Sequence, residues 1–168
     1  MNLGQTMRQQ LQLFLANEKP MVAGDQKRYV FERQVNDVHF RILVHDFDKF
    51  SFQIEGFELS TLRKSNISAG ELEKRSNWIT KKITYLLEDF KVVELDANNL
   101  KLQLRSVSPE SDSVNLLYFE ILLHAAGAIL LTRYQFNKET QTRTRIPYHV
   151  TSEVLIKLIN DLAGAIRD

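Results

Sequence analysis

The chain has 168 residues and no cysteine, with 22 Lys and Arg against 21 Asp and Glu for a formal charge of +1. That length can bury a real core in one domain, and the balanced charge excludes the global basic excess common among phosphate-binding proteins. The missing cysteine excludes disulfides, thiolate nucleophiles and Cys-ligated zinc or iron–sulfur centres.

Residues 3–17 read as the first helix, because Leu3, Met7, Leu11 and Phe14 recur at three- and four-residue steps and Leu15 widens the stripe. Pro20 and Gly24 then punctuate a linker. From Lys27 to Phe57 the period changes to two, giving three antiparallel strands with Asn36-Asp37 as the first turn and residues 46–49 as the second. Ser68 and Glu71 match a capping box, so a helix is expected from there to about Asp89, with Leu72, Ile79, Ile83, Leu86 and Phe90 on its apolar stripe.

Residues 92–95 and 100–104 flank a hairpin loop at 96–99, and residues 106–113 read as an exposed loop. Residues 114–123 and 128–136 are apolar enough for strands buried on both faces, with Gly127 in a tight turn between them. Residues 142–146 form a final strand that Pro147 ends, and Thr151 or Ser152 caps a last helix carrying Val154, Leu155, Leu158, Leu162 and Ile166.

This order predicts an α+β fold, an antiparallel sheet of about seven strands packed with three helices. The expected unit is one domain over residues 1–168, with 1–90 and 91–168 as a weak two-part organisation. The N-terminal segment lacks the pattern of a secretory signal. The longest apolar-rich stretch, residues 121–131, is too short for a bilayer span of roughly 20 residues. The expectation is a cytoplasmic protein, off the membrane and without a cofactor.

Three groups of residues carry candidate chemistry. His45, Asp46 and Asp48 put an imidazole and two carboxylates at a hairpin tip, ligand types suited to a divalent cation or acid–base work. Asp is equally a turn residue, which accounts for it without a site. Arg133, Arg143 and Arg145 lie on two neighbouring strands, where a ladder of guanidiniums could hold a phosphate or an acidic partner. The plain alternative is a solvated face that deters edge pairing. His149, with Arg145, Tyr148 and Ser152, could line an anion spot at the start of the last helix, although capping by Thr151 or Ser152 explains the same residues.

Trp78 and Tyr85 suit the core border or an interface, being large rings with a polar handle. No phosphate-binding glycine loop, nucleotide fingerprint, zinc HExxH or serine elbow occurs in the chain.

In element order, residues 3–104 are similar to the type III secretion chaperones, a resemblance that implies a small dimeric α+β protein holding effector segments. Those chaperones are typically acidic, whereas this chain is balanced, and the strands after Val114 add to their layout. The first expectation is therefore a non-catalytic, chaperone-like protein-binding domain acting as a homodimer. A nucleic-acid or anionic-ligand module built on the arginines, and a small enzyme built on His and Asp, are the alternatives.

Overall fold

The structure, a computed structural model, describes residues 1–63, 67–86, 88–107 and 109–167. Leu87 of the expected second helix and Ser108 of the expected loop lie outside the described residues.

The helix α1 (Leu3–Asn17) starts at a complete capping box: Asn2 accepts from the Gln5 amide, and the Gln5 side chain accepts from Asn2. Its inward face is Gly4, Met7, Leu11 and Leu15, rotated slightly from the expected stripe, so that Leu3 and Phe14 border the core instead. β1 (Met21–Ala23) and β2 (Gln26–Val35) form a hairpin through Gly24. β3 (Val38–Phe47) and β4 (Ser51–Thr61) complete a first meander. The β2–β3 turn puts Asn36 at φ 56, a conformation that Asn tolerates better than most residues.

α2 (Ala69–Lys82) is capped by the Ser68 hydroxyl, which accepts from Glu71 N. The reciprocal half of the box is missing, because Glu71 pairs with Lys74 instead. The helix ends at Lys82, with Ile83 as its C-cap, before the expected end near Asp89. Four β-branched residues, Ile79, Thr80, Ile83 and Thr84, weaken the helix there. Leu86 and Phe90 are buried all the same, by a linker that delivers Phe90 onto the edge of the Phe119 ring. Helical spacing in an apolar run thus served the core without a helix.

β5 (Phe90–Asp96) and β6 (Lys101–Ser106) follow as a hairpin, and β7 (Glu110–Ser111), β8 (Asn115–His124) and β9 (Ala128–Asn137) extend a second meander. Gly127 between β8 and β9 sits at φ 86. A Cβ there would also come within 2.2 Å of the Thr61 methyl group, so glycine is required twice over.

The sheet runs β1-β2-β3-β4-β9-β8-β6-β5, all antiparallel, so the two meanders meet at β4 and β9. β4 and β9 pair through residues 56–60 and 128–132, then splay. β10 (Thr142–Ile146) follows β9 and β11 (Tyr148–Thr151) follows β4, so the two strands and Pro147 between them fill the fork. α3 (Ser152–Arg167) closes the chain, with the Thr151 hydroxyl accepting from Val154 N.

Among the described residues the sheet has eleven strands rather than about seven. β1, β7 and β11 were the unexpected ones: β1 and β7, at three and two residues, are too short to display a period of two, and β11, at four, directly follows Pro147.

A row of fully buried side chains crosses the sheet: Phe31, Ile42, Phe57, Leu131, Ile121 and Leu104. All three helices pack against this face. Burial on both faces, as expected, holds for only part of the strands around Gly127. Nearest Gly127, Ile121, Leu123, Ile129 and Leu131 point into the core while Leu122 and Leu130 are only half-buried on the other side; farther along, Tyr118, Glu120, Thr132 and Tyr134 are buried on that outer face as well. Among the described residues no helix is long and apolar enough to cross a membrane.

Tyr148 is buried in the fork against Phe119, and its hydroxyl bonds to nothing among the described residues. Burial raises its pKa above the usual tyrosine value. The folded state therefore keeps a proton that the unfolded chain loses above about pH 10, and stability drains as pH rises beyond that point. Tyr148→Phe is expected to raise stability at neutral pH by about 1 kcal/mol, because the buried hydroxyl loses water without a bond to replace it. It should also flatten the alkaline loss. Urea titrations at pH 7 and above 10 check both, and a destabilised variant at pH 7 would show that the hydroxyl has a partner.

Candidate functional site

The face opposite the helices carries the chemistry. Two rows cross it: Glu32, Arg41, Glu58, Leu130, Leu122 and Gln103, then Val30, Leu43, Gly56, Thr132, Glu120 and Arg105. The first row alternates charges directly across β2, β3 and β4, and Arg41 pairs with Glu32 at 3.0 Å. Toward the second meander the row turns aliphatic. In the second row Leu43 folds over the missing side chain of Gly56, so Val30, Leu43, Leu130 and Leu122 make a half-buried strip beside the polar end.

At that polar end Glu120 is almost entirely buried, although no helix covers it. Arg105 from β6 reaches it at 3.4 Å, Arg143 from β10 at 3.2 Å, and Gln103 at 2.5 Å, all on one carboxylate oxygen. Below it Tyr118 and Tyr134 lie side by side, with centroids 5.8 Å apart. Arg105 covers the first ring at 4.9 Å and Arg143 the second at 4.0 Å. Such stacked guanidiniums are held by both the ring and the carboxylate. Burial lowers the Arg143 pKa, but hydrogen bonding to Tyr118 and the charge of Glu120 outweigh it and leave it raised. Arg145 stands exposed opposite Tyr134. Two arginines thus meet a single carboxylate, with Arg145 exposed on the same face.

The expected trio Arg133, Arg143 and Arg145 is only partly assembled. The register pairs Arg145 with Tyr134 and Arg133 with Ile146, which sends Arg133 to the opposite face. There it lies over the Phe119 ring at 5.0 Å and pairs with Glu110 at 3.2 Å. Arg105 takes its place. Pairing of β6 with β8 sets Arg105 directly across from Glu120, a contact that local sequence pattern does not announce.

His45, Asp46 and Asp48 do not converge. The His45 ring bonds Glu55 at 2.5 Å, and Arg28 reaches the same oxygen at 3.4 Å. Asp46 accepts from the Phe47 amide. Asp48 caps the β3–β4 turn, accepting from Phe50 N at 2.6 Å and Ser51 N at 2.8 Å, and these amides hold its carboxyl below the usual range. Among the described residues no three His, Asp or Glu side chains are grouped to hold a metal.

His149 is exposed on β11 opposite Gln53, and with Asp46, Asp48 and Ser51 it lines a depression of about 80 Å³. Tyr148, its expected neighbour in an anion spot, points into the core. The tetrad with Arg145 and Ser152 is therefore not formed.

Trp78 and Tyr85 meet α3 within the chain. The indole Nε1–H donates to the Asp161 carbonyl at 3.0 Å, and the Tyr85 hydroxyl donates to the Asp161 carboxylate at 2.9 Å. Burial first, then Asp161, pushes the Tyr85 pKa well up.

No family model, no curated protein and no solved structure matches the chain. The likeness to the secretion chaperones therefore stays one of element order.

Proposed function

We propose that the protein is a non-catalytic binding module that holds an extended acidic segment of a protein partner across the helix-free face of its sheet. One observation carries this reading: among the described residues Arg105 and Arg143 share the single buried carboxylate of Glu120 while Arg145 stands exposed on the same face, and a half-buried aliphatic strip adjoins them. Guanidiniums fixed in place recognise carboxylates at low entropic cost, while Leu122 and Leu130 supply apolar contact along the same face.

The geometry favours carboxylates over nucleic acid. Single strands bind by stacking bases on open aromatic faces, and here the Tyr118 and Tyr134 rings lie under arginines. A homodimer that packs two such faces together is the other protein partner to weigh, since symmetric pairing is the usual cover for an open face. The absence of cysteine suits a reducing compartment, and the cytoplasm is the compartment we propose.

The test is fluorescence anisotropy with two labelled probes, a glutamate- and leucine-rich peptide and an oligothymidylate, with light scattering alongside. The peptide is expected to bind with strong salt dependence. The double variant Arg143→Glu/Arg145→Glu should lose at least about tenfold in affinity, since two favourable pairings become repulsions. Tighter binding of the oligonucleotide would replace this reading by nucleic-acid recognition. A stable dimer whose peptide affinity ignores the double variant would replace it by self-association.

A further inference from the structure

α2 and α3 leave between them a groove of about 270 Å³, lined by Glu71, Lys74, Arg75 and Trp78 on one side and Gly164 and Ala165 on the other. The seat of the Trp78 indole depends on position 164 having no side chain. A Cβ there would stand 3.1 Å from Trp78 Cζ2 and 3.4 Å from Cε2, so the indole lies close against the bare backbone of α3. Its bond to the Asp161 carbonyl fixes the ring plane, and the Lys82 ammonium rests 5.0 Å from the ring centroid. One wall of the groove is thus flat, apolar and preset.

Beside that wall lies Arg75, half-buried. Its Nε is shut off from solvent and bonds to nothing among the described residues. Burial lowers its pKa, with the charge of Glu71 opposing. The Glu71 carboxylate itself is engaged by Lys74 at 2.9 Å. That nitrogen has lost water without gaining a bond, a cost nothing else among the described residues offsets, and the half-buried Arg75 side chain lines the groove.

We propose that this groove binds a small amphipathic carboxylate, with its apolar body against Trp78 and Ala165 and its carboxylate on the Arg75 guanidinium. A planar fork of donors matches a carboxylate. The volume falls just below the roughly 300–1,000 Å³ of pockets for drug-sized ligands, which suits one ring or a short aliphatic chain and excludes a nucleotide. A free aryl or alkyl acid and the C-terminal residue of a peptide present this same chemistry.

Trp78 is the sole tryptophan of the chain, so its fluorescence reads the groove directly. The full-length protein would be titrated with phenylacetate, with phenylacetamide, and with a short peptide ending in leucine, as free acid and as C-terminal amide. Saturable change is expected with an acid and not with its amide. Arg75→Gln is expected to weaken the acid by about tenfold or more, the size of a lost charge-assisted hydrogen bond. Thermal melting confirms that this variant folds, and the acid–amide comparison needs no variant at all. A response to phenylacetate alone assigns the groove to free small acids, and a response to the acid peptide alone assigns it to chain ends. The proposal is overturned by equal responses to acid and amide, or by a folded Arg75→Gln protein that binds as tightly as its parent. It is equally overturned if neither acid saturates, by fluorescence or calorimetry, up to millimolar concentration.

Discussion

Gly4→Ala is expected to cost about 3 kcal/mol and to lower Tm by about 10 °C, an overpacking penalty at the upper end of the usual range. A Cβ at position 4 would stand 2.2 Å from the carbonyl oxygen of Ile156 and 2.9 Å from its carbon. The obstacle is backbone, so no rotamer change relieves it, and α1 must move away from α3. Moving it stretches the bond from Gly4 N to Asn160 Oδ1, now 2.9 Å, and loosens Met7 and Leu11, both fully buried. Alanine's advantage in a helix, about 1 kcal/mol, recovers only part of this. Asn160→Ala separates the contributions, because it removes the hydrogen bond without the clash and should cost about 1 kcal/mol. Urea unfolding followed by circular dichroism measures both. A Gly4→Ala protein as stable as its parent would mean that the two helices do not approach this closely.

Gly4 also marks a limit of periodicity as a guide. The three- and four-residue steps in residues 3–17 locate a helix, but a glycine adds no apolar weight, so the close contact with α3 is invisible to that count. Turn chemistry was far more legible. Asn36-Asp37, the Asp96 loop and Gly127 each announced a chain reversal that the structure contains, because the residue types that tolerate φ > 0 or bond their own backbone are few. In residues 146–151 a period of two was present, with buried Tyr148 and Val150 between exposed Pro147, His149 and Thr151, yet Pro147 disguised it as a strand end. The candidate site was half legible. Arg143 and Arg145 share a face by simple alternation, whereas Arg133 leaves it because the β9–β10 register pairs it with Ile146. The partners that define the patch, Arg105 and Glu120, stand 15 residues apart and meet through the β6–β8 pairing, whose register the local pattern does not display.

Glu120 decides how strongly the patch attracts an acidic partner. Its carboxylate is almost fully buried and takes Arg105, Arg143 and Gln103 together, so it both holds the arginines in place and competes for them. Glu120→Gln keeps the shape and an acceptor oxygen for Gln103 but removes the charge. Losing one member of a buried ion pair costs several kcal/mol when both ions are buried. Here the arginine side chains are 38% and 42% exposed and can return to water, so the expected loss is about 2 kcal/mol. Affinity for the glutamate-rich peptide should move the other way, rising about tenfold, because two guanidiniums are released to the incoming carboxylates. Opposite signs in the two measurements are the diagnostic. Damage to the face as a whole would lower stability and binding together, and that result would remove the arginine cluster from the binding reading. An increase confined to the oligothymidylate would keep the cluster but transfer it to a nucleic-acid partner.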